Sequence, residues 1–256
     1  MPLIIDRDGP VTTVTINRPQ ARNAVNSETA LELRAAFKAF DADDEQSIAI
    51  LTGVEGAFCA GYDLKSVAQG GARVIWKPTD EGPMGPTRML LSKPVIAAVE
   101  GYAVAGGLEL ALWCDMRVAS ATAVFGVYCR RWGVPLIDGG TVRLPRLIGH
   151  SRALDMIMTG RGVEAEEALQ FGLANRLVPA GQALAAARKM ALEVAKFPQL
   201  CMRADRRSSY EQWSLDLPEA LVNEAEGGEE PRAKEAQAGA ARFAAGKGRC
   251  GDFNSI

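Results

Sequence analysis

A single histidine, His150, makes imidazole the scarcest chemically versatile group in this 256-residue chain. A site needing two imidazoles within one chain is thereby excluded, and His-rich metal centres are disfavoured. A Ser-His-Asp protease would have to be built around this one ring, and no nucleophile signature flanks it. The five cysteines, Cys59, Cys114, Cys129, Cys201 and Cys250, contain no CxxC pair, and an odd count does not describe a disulfide framework. They read as free thiols of a reducing compartment, which predicts a cytoplasmic protein. Charge of neither sign dominates: 29 Lys and Arg face 31 Asp and Glu, without the basic excess that a nucleic-acid surface wants. No window approaches about 18 uninterrupted apolar residues, so no membrane span is expected. The opening MPLIIDRDGP meets acidic residues too early for a secretory signal.

What is present is a chain 48% hydrophobic, enough for one large core with or without a helical extension. Residues 11–17, VTTVTIN, alternate and are β-branched, which predicts a strand. A helix follows, with Ser27 as its N-cap and Leu31, Ala35 or Phe37, and Phe40 as its apolar stripe. Residues 47–53 (SIAILTG) and 94–100 (PVIAAVE) are short apolar runs of the kind that form buried parallel strands. Between them, the Gly- and Pro-dense stretch around Trp76 is the expected mobile segment. The run from Gly106 to Trp113 reads as a helix, and DMRVAS and AVFGV as further short strands. After about Gly139 the pattern turns helical, Pro198 interrupts it, and Ala/Glu/Lys-rich helices continue to ARFAAGKG.

The stretch GYAVAGGLEL, residues 101–110, carries the first chemical signal. A helix opening at Gly106 leaves that backbone N–H without an intrahelical partner, at the positive end of the helix dipole. A small residue there lets a negative oxygen approach closely. Glu109, at i+3, shares the helical face of Gly106 and can act on a proton or a water beside that oxygen. Glu109 is equally readable as a first-turn acid that favours the dipole. A second stretch, EGAFCAGYDL (residues 55–64), also leaves a buried strand through a small pair, Ala60-Gly61, into a helix. Two such turns on neighbouring strands can converge on one oxygen as a two-donor oxyanion hole.

Together these stretches resemble the crotonase superfamily, specifically the enoyl-CoA hydratase/isomerase family. IAAVEGYAVAGGLELALWCDM (residues 96–116) is similar to its central signature, NRPQARNAVN (17–26) to its CoA-proximal motif and AFCAGYDL to its first oxyanion loop. FGLANRLV and ARFAAGKGRCGDF resemble its later landmarks. The resemblance implies an α/β fold, a crotonase-like spiral of β-β-α repeats over residues 1–197, with a C-terminal helical trimerisation region over 198–256. It implies an acyl-CoA thioester substrate of fatty-acid metabolism, no metal or redox cofactor, and a homotrimer or a hexamer of paired trimers. It implies that the N–H groups of Ala60 and Gly106 hold the thioester oxygen as it becomes an enolate. Arg22 and Ala24 would lie along the CoA moiety, and Asp63 and Leu64 would line the same groove, with a capped helix start as the other reading of Asp63.

The sequence also departs from that pattern. Enoyl-CoA hydratases of the family use two glutamates; Glu109 matches the first, but the second position is occupied by Cys129. A thiol is mostly neutral at pH 7. Arg130 and Arg131 beside it could lower its pKa, or it could be an apolar filler that lines the substrate site. Asp138, in GVPLIDGGTVRL, falls one residue past a position where some relatives carry a working aspartate. It reads as a replacement catalytic carboxylate, as an N-cap, or as a partner for Arg130 or Arg131. Tyr62, Trp76, Tyr128 and Trp132 could wall an acyl pocket. The Arg130-Arg131 pair could instead recognise an acidic acyl group, and Lys247 and Arg249 could meet a CoA phosphate of a neighbouring subunit.

The resulting expectation is an enoyl-CoA hydratase acting through a stabilised enolate. Its rivals are a double-bond isomerase working with one carboxylate, and a non-catalytic acyl-CoA-binding homologue.

Overall fold

In the computed structural model, residues 1–68, 77–79 and 82–248 are described. The chain opens with β1 (Leu3–Asp8) antiparallel to β2 (Val11–Ile16), then α1 (Ser27–Ala42), β3 (Ile48–Gly53) and the short α2 (Leu64–Ala68). There follow β4 (Val95–Val99), β5 (Tyr102–Val104), α3 (Gly106–Trp113), β6 (Met116–Ser120) and β7 (Val124–Gly126). After a 3-10 turn at Tyr128–Trp132 come α4 (Gly140–Ile148), α5 (His150–Thr159), β8 (Gly162–Glu164), α6 (Ala165–Phe171), β9 (Arg176–Val178) and α7 (Ala183–Ala195). The chain continues through α8 (Gln199–Glu211), α9 (Leu217–Lys234) and α10 (Ala236–Ala244).

Two sheets result. The larger has the order β1-β2-β3-β4-β6-β9, parallel except for β1; the smaller is β5-β7-β8. Each pair β4–β5 and β6–β7 gives its first strand to the larger sheet and its second to the smaller before a helix follows, which is the expected spiral of β-β-α turns. Strands β3 and β4 are buried almost throughout. Their continuous apolar sequences follow from burial on both faces, as a central parallel strand requires.

Helix α1 buries Leu33, Ala36, Phe37 and Phe40 in the core that also holds Val14, Ile16, Leu51 and Ala97. The 3–4 spacing of these residues defines the stripe. Leu31 was expected in it but is 57% exposed, because two residues before Leu33 is the opposite side of a 3.6-residue helix. Phe37 meets Trp113 of α3 edge to face, with ring centroids 4.8 Å apart. The N-cap is Asn26, not Ser27: extended at φ −99° and ψ 179°, Asn26 accepts the Thr29 N–H through its side chain. Beyond Gly139 the chain is not purely helical. The three-residue strands β8 and β9 were missed because their pairing partners, not their own periodicity, define them.

The chain divides into two compact units, 1–191 and 192–256. In the second, α8 and α9 pack together, and the Glu235 carboxylate accepts the Leu200 and Cys201 N–H groups at the start of α8. Among the described residues no helix is long and apolar enough to cross a membrane, and no group of three His, Cys, Asp or Glu side chains is placed to hold a metal.

Candidate active site

Helix α3 is buried along its whole length and begins where the sequence places it. Its N-cap residue, Ala105, sits at φ 54° and ψ −125°, a conformation that costs a non-glycine residue about 1–3 kcal/mol. Three bonds hold it there: Ala105 N–H to the Gly126 carbonyl (2.8 Å), Val104 N–H to the Cys59 carbonyl (3.1 Å), and Glu109 N–H to the Ala105 carbonyl (3.2 Å). The Gly106 N–H has no hydrogen-bond partner among the described residues. It lies at the positive end of the helix, ready for a negative oxygen.

The first loop reaches this point through Gly61. At φ +97°, Gly61 is left-handed, and a Cβ built on it would lie 2.9 Å from the Gly106 nitrogen. Only glycine allows that approach. The two strand-to-helix turns therefore converge, as expected.

The donor assignment changes, however. The Ala60 N–H donates to the Arg22 carbonyl at 3.1 Å, so it is not available to a ligand. Residues 61–63 then run beside Val25: Val25 N–H donates to the Gly61 carbonyl and Asp63 N–H to the Val25 carbonyl. Successive N–H groups of an extended segment face opposite sides. The Tyr62 N–H thus faces away from Val25 and has no partner among the described residues. Tyr62, expected only as a pocket wall, supplies the free N–H that Ala60 was expected to give.

The CoA-proximal motif is a scaffold for this loop. Arg22 and Asn23 both adopt positive φ. The buried Asn23 amide donates to the Val54 and Ala57 carbonyls, at 2.9 and 2.7 Å. Arg18 donates to the Ala24 carbonyl and pairs with Asp63 at 2.8 Å. Burial opposes ionisation of Asp63, but the Arg18 bond and charge outweigh it and hold the carboxyl below its ordinary pKa. Asp63 also accepts the Ser66 N–H, so it caps α2 and ties two loops together. Ala24 is buried, whereas the Arg22 side chain and Leu64 are exposed.

Glu109 is the buried carboxyl of the site, 2% exposed. Its Oε1 accepts the Asp138 N–H and the Gly140 N–H, both at 2.8 Å. Burial, and secondarily the nearby Asp138 charge, push its pKa up to about 7. With Oε1 held by the main chain, Oε2 is the oxygen left to act.

Asp138 is neither an N-cap nor a partner of Arg130 or Arg131. Gly139 precedes α4 without a side-chain cap, and Asp138 Oδ1 accepts the Met84 N–H (2.9 Å) and the Thr87 hydroxyl. Burial raises its pKa, against the lowering effect of those bonds. Cys129, in the 3-10 turn, is buried; burial and then the Glu109 charge raise its thiol pKa, with Arg130 lowering it only in part. Arg130 instead donates to the Ile157 carbonyl, and Arg131 lies over the Tyr128 ring at 4.3 Å. Of the two readings of Cys129, activation by these arginines is not realised; the buried, neutral thiol fits the apolar filler.

Tyr128 packs beside Tyr102, and Trp132 is 69% exposed. Lys247 is exposed, while Trp76 and Arg249 lie outside the described residues. Met84, Thr87 and Arg143, which tie the site together, carry no signal in the sequence beyond a proline-rich loop and a helix-start arginine.

The geometry is a spiral α/β fold with two converging backbone donors and a buried carboxyl that titrates near neutrality. Solved structures share the fold: an enoyl-CoA hydratase from Mycobacterium marinum superposes with a TM-score of 0.90 at 35% identity, over 96% of each chain. One from Mycobacterium tuberculosis does so at 0.90 and 36%, over 95% of this chain and 96% of its own. The fold is that of the crotonases. In sequence, the chain is 38% identical to an enoyl-CoA hydratase of Mycobacterium tuberculosis over 85% of this chain and 84% of that one. It is 39% identical to a carnitinyl-CoA dehydratase of Salmonella typhi, over 79% and 77%. The chain belongs to the enoyl-CoA hydratase/isomerase family, whose profile matches residues 6–248.

Proposed function

We propose that this protein adds water to α,β-unsaturated acyl-CoA thioesters, and removes it from the 3-hydroxy products. The observation that carries this reading is the Glu109 carboxyl, pinned through Oε1 at 2.8 Å by two N–H groups one helical turn from the unpartnered Gly106 N–H.

The thioester carbonyl oxygen sits between the Gly106 and Tyr62 N–H groups. Glu109 Oε2 takes a proton from water, and the water oxygen bonds to the β-carbon. The double-bond electrons move through the α-carbon onto the carbonyl oxygen, where the two donors stabilise the enolate. The protonated Glu109 then returns its proton to the α-carbon. A pKa near 7 lets one carboxyl serve as both base and acid. The scheme needs no metal or redox cofactor.

Cys129 at the position of the family's second glutamate supports a second reading, a double-bond isomerase in which Glu109 alone shifts one proton. Identification of the product formed from crotonyl-CoA separates the two: a 3-hydroxyacyl-CoA whose formation is abolished in Glu109→Ala supports the first reading, and a 3-enoyl-CoA without hydration supports the second. Tight binding of acyl-CoA with no turnover would point to a non-catalytic homologue. We also propose a homotrimer or hexamer in the cytoplasm. The exposed Trp213, Leu217, Leu221 and Phe243 of the C-terminal unit support assembly.

A further inference from the structure

Residues 82–87 form a wall over the first turn of α3. A methyl group built on Gly106 would lie 2.7 Å from the Met84 sulfur, and Met84 is buried. What fixes this wall is a set of bonds to residues 137–143. Asp138 Oδ1 accepts the Met84 N–H and the Thr87 hydroxyl. Arg143 donates to the Thr87 carbonyl at 2.6 Å and to the Asp138 carbonyl at 3.0 Å, and Arg88 donates to the Ile137 carbonyl at 2.7 Å. Gly82, at φ +104°, lies so close that a Cβ there would be 2.8 Å from Asp138 Oδ1 and would collide with the Thr87 hydroxyl.

The same Asp138 gives its backbone N–H to Glu109 Oε1. One residue therefore holds the reacting carboxyl with its main chain and the wall beside the oxyanion site with its side chain. A buried carboxylate oxygen accepting two donors is a fixed anchor, and releasing it leaves both donors unsatisfied.

We infer that Asp138 is a positioning residue, setting the wall at Met84 against Glu109 and so the fit of the reacting end of the acyl thioester, and does not exchange protons with substrate. This rests on the acyl-CoA reading above for the identity of the ligand, though not for the anchoring itself.

The test compares Asp138→Ala, Asp138→Asn and Thr87→Val with the full-length parent. An asparagine carbonyl oxygen can still accept from Met84 and Thr87; alanine cannot. Hydrogen–deuterium exchange over residues 82–90 of the free protein reads the anchor without any ligand. Asp138→Ala is expected to accelerate it, Asp138→Asn to leave it near the parent, and Thr87→Val to accelerate it to a lesser degree. With crotonyl-CoA as substrate and butyryl-CoA as calorimetric ligand, Asp138→Ala is expected to raise KM and Kd about tenfold, equivalent to roughly 1.4 kcal/mol. Its kcat should stay within a few-fold, and Asp138→Asn should restore both constants; the pH–rate profile of both variants should keep its shape and move to lower pH, because the Asp138 charge that helps raise the Glu109 pKa is gone.

Unchanged exchange in Asp138→Ala overturns the proposal. So does an Asp138→Asn variant that loses kcat as heavily as alanine with KM unmoved, since that marks a proton-transferring acid. If Asp138→Ala fails to fold, Thr87→Val decides by the same exchange readout. A parent that neither binds butyryl-CoA nor hydrates crotonyl-CoA removes the acyl-CoA reading, and the exchange comparison still decides whether Asp138 holds the wall.

Discussion

The Asp138 backbone N–H donates to Glu109 Oε1 at 2.8 Å, joining the two buried carboxyl residues of the site through main chain on one side and side chain on the other. This contact orients Glu109 and brings a second negative charge near it, the lesser cause after burial of its raised pKa.

Glu109→Gln keeps an acceptor for the Asp138 and Gly140 N–H groups but cannot move a proton. Steady-state hydration of crotonyl-CoA is expected to fall by about 10²–10⁴-fold, the usual share of a general acid–base group. Retained activity would remove Glu109 from the reaction.

The parent should also show a pH dependence that this variant lacks. Glu109 must be ionised to accept a proton from water, so kcat is expected to rise with pH and level off above about 7. Stability moves the other way. A carboxyl whose folded pKa is raised from 4.5 to about 7 binds more protons folded than unfolded between those values, so its ionisation destabilises the fold as pH rises through that window. Urea unfolding at pH 8 should find Glu109→Gln more stable than the parent by up to about 3 kcal/mol, and no such gain at pH 4.

Gly61→Ala tests the convergence of the two loops. The added Cβ would meet the Gly106 nitrogen at 2.9 Å from a residue already at φ +97°. The left-handed conformation alone costs about 1–2 kcal/mol. Acyl-CoA binding by calorimetry should weaken along with the melting temperature, and a variant that binds like the parent would separate the loop from the site.

Cys129→Ala bears on the thiol. A buried, neutral sulfur that transfers no proton should be replaceable within roughly threefold in kcat, less than 1 kcal/mol of barrier. A loss of a hundredfold or more would show that sulfur acts in place of the family's second glutamate.

Arg18→Ala breaks the Arg18–Asp63 pair, whose side chains are only 15% and 13% exposed. Thermal unfolding near pH 7 should show a loss of about 1–3 kcal/mol. Because the folded pKa of Asp63 is lowered, its contribution is present above the ordinary value of 3.8 and disappears as pH falls through the folded value. The gap between parent and variant should therefore close in acid.

Local pattern determined much of this protein from the sequence alone. The buried strands at Ile48–Gly53 and Val95–Val99, the helix opening at Gly106, the placement of Glu109 on its first turn and the small pair at Ala60-Gly61 all depend on neighbours within a turn or a strand. Periodicity and glycine placement encode such features directly. Tertiary structure decided what depends on distant partners. Whether Ala60 or Tyr62 presents a free N–H depends on Arg22 and Val25. Whether Asp138 caps, pairs or anchors depends on Met84 and Thr87, more than fifty residues away in the chain. The pKa of Glu109 depends on burial by a loop whose arrival no local signal announces. A hydrogen-bond donor has one partner at a time, and which carbonyl or carboxylate takes it is settled only when the chain has folded and the competing acceptors are in place.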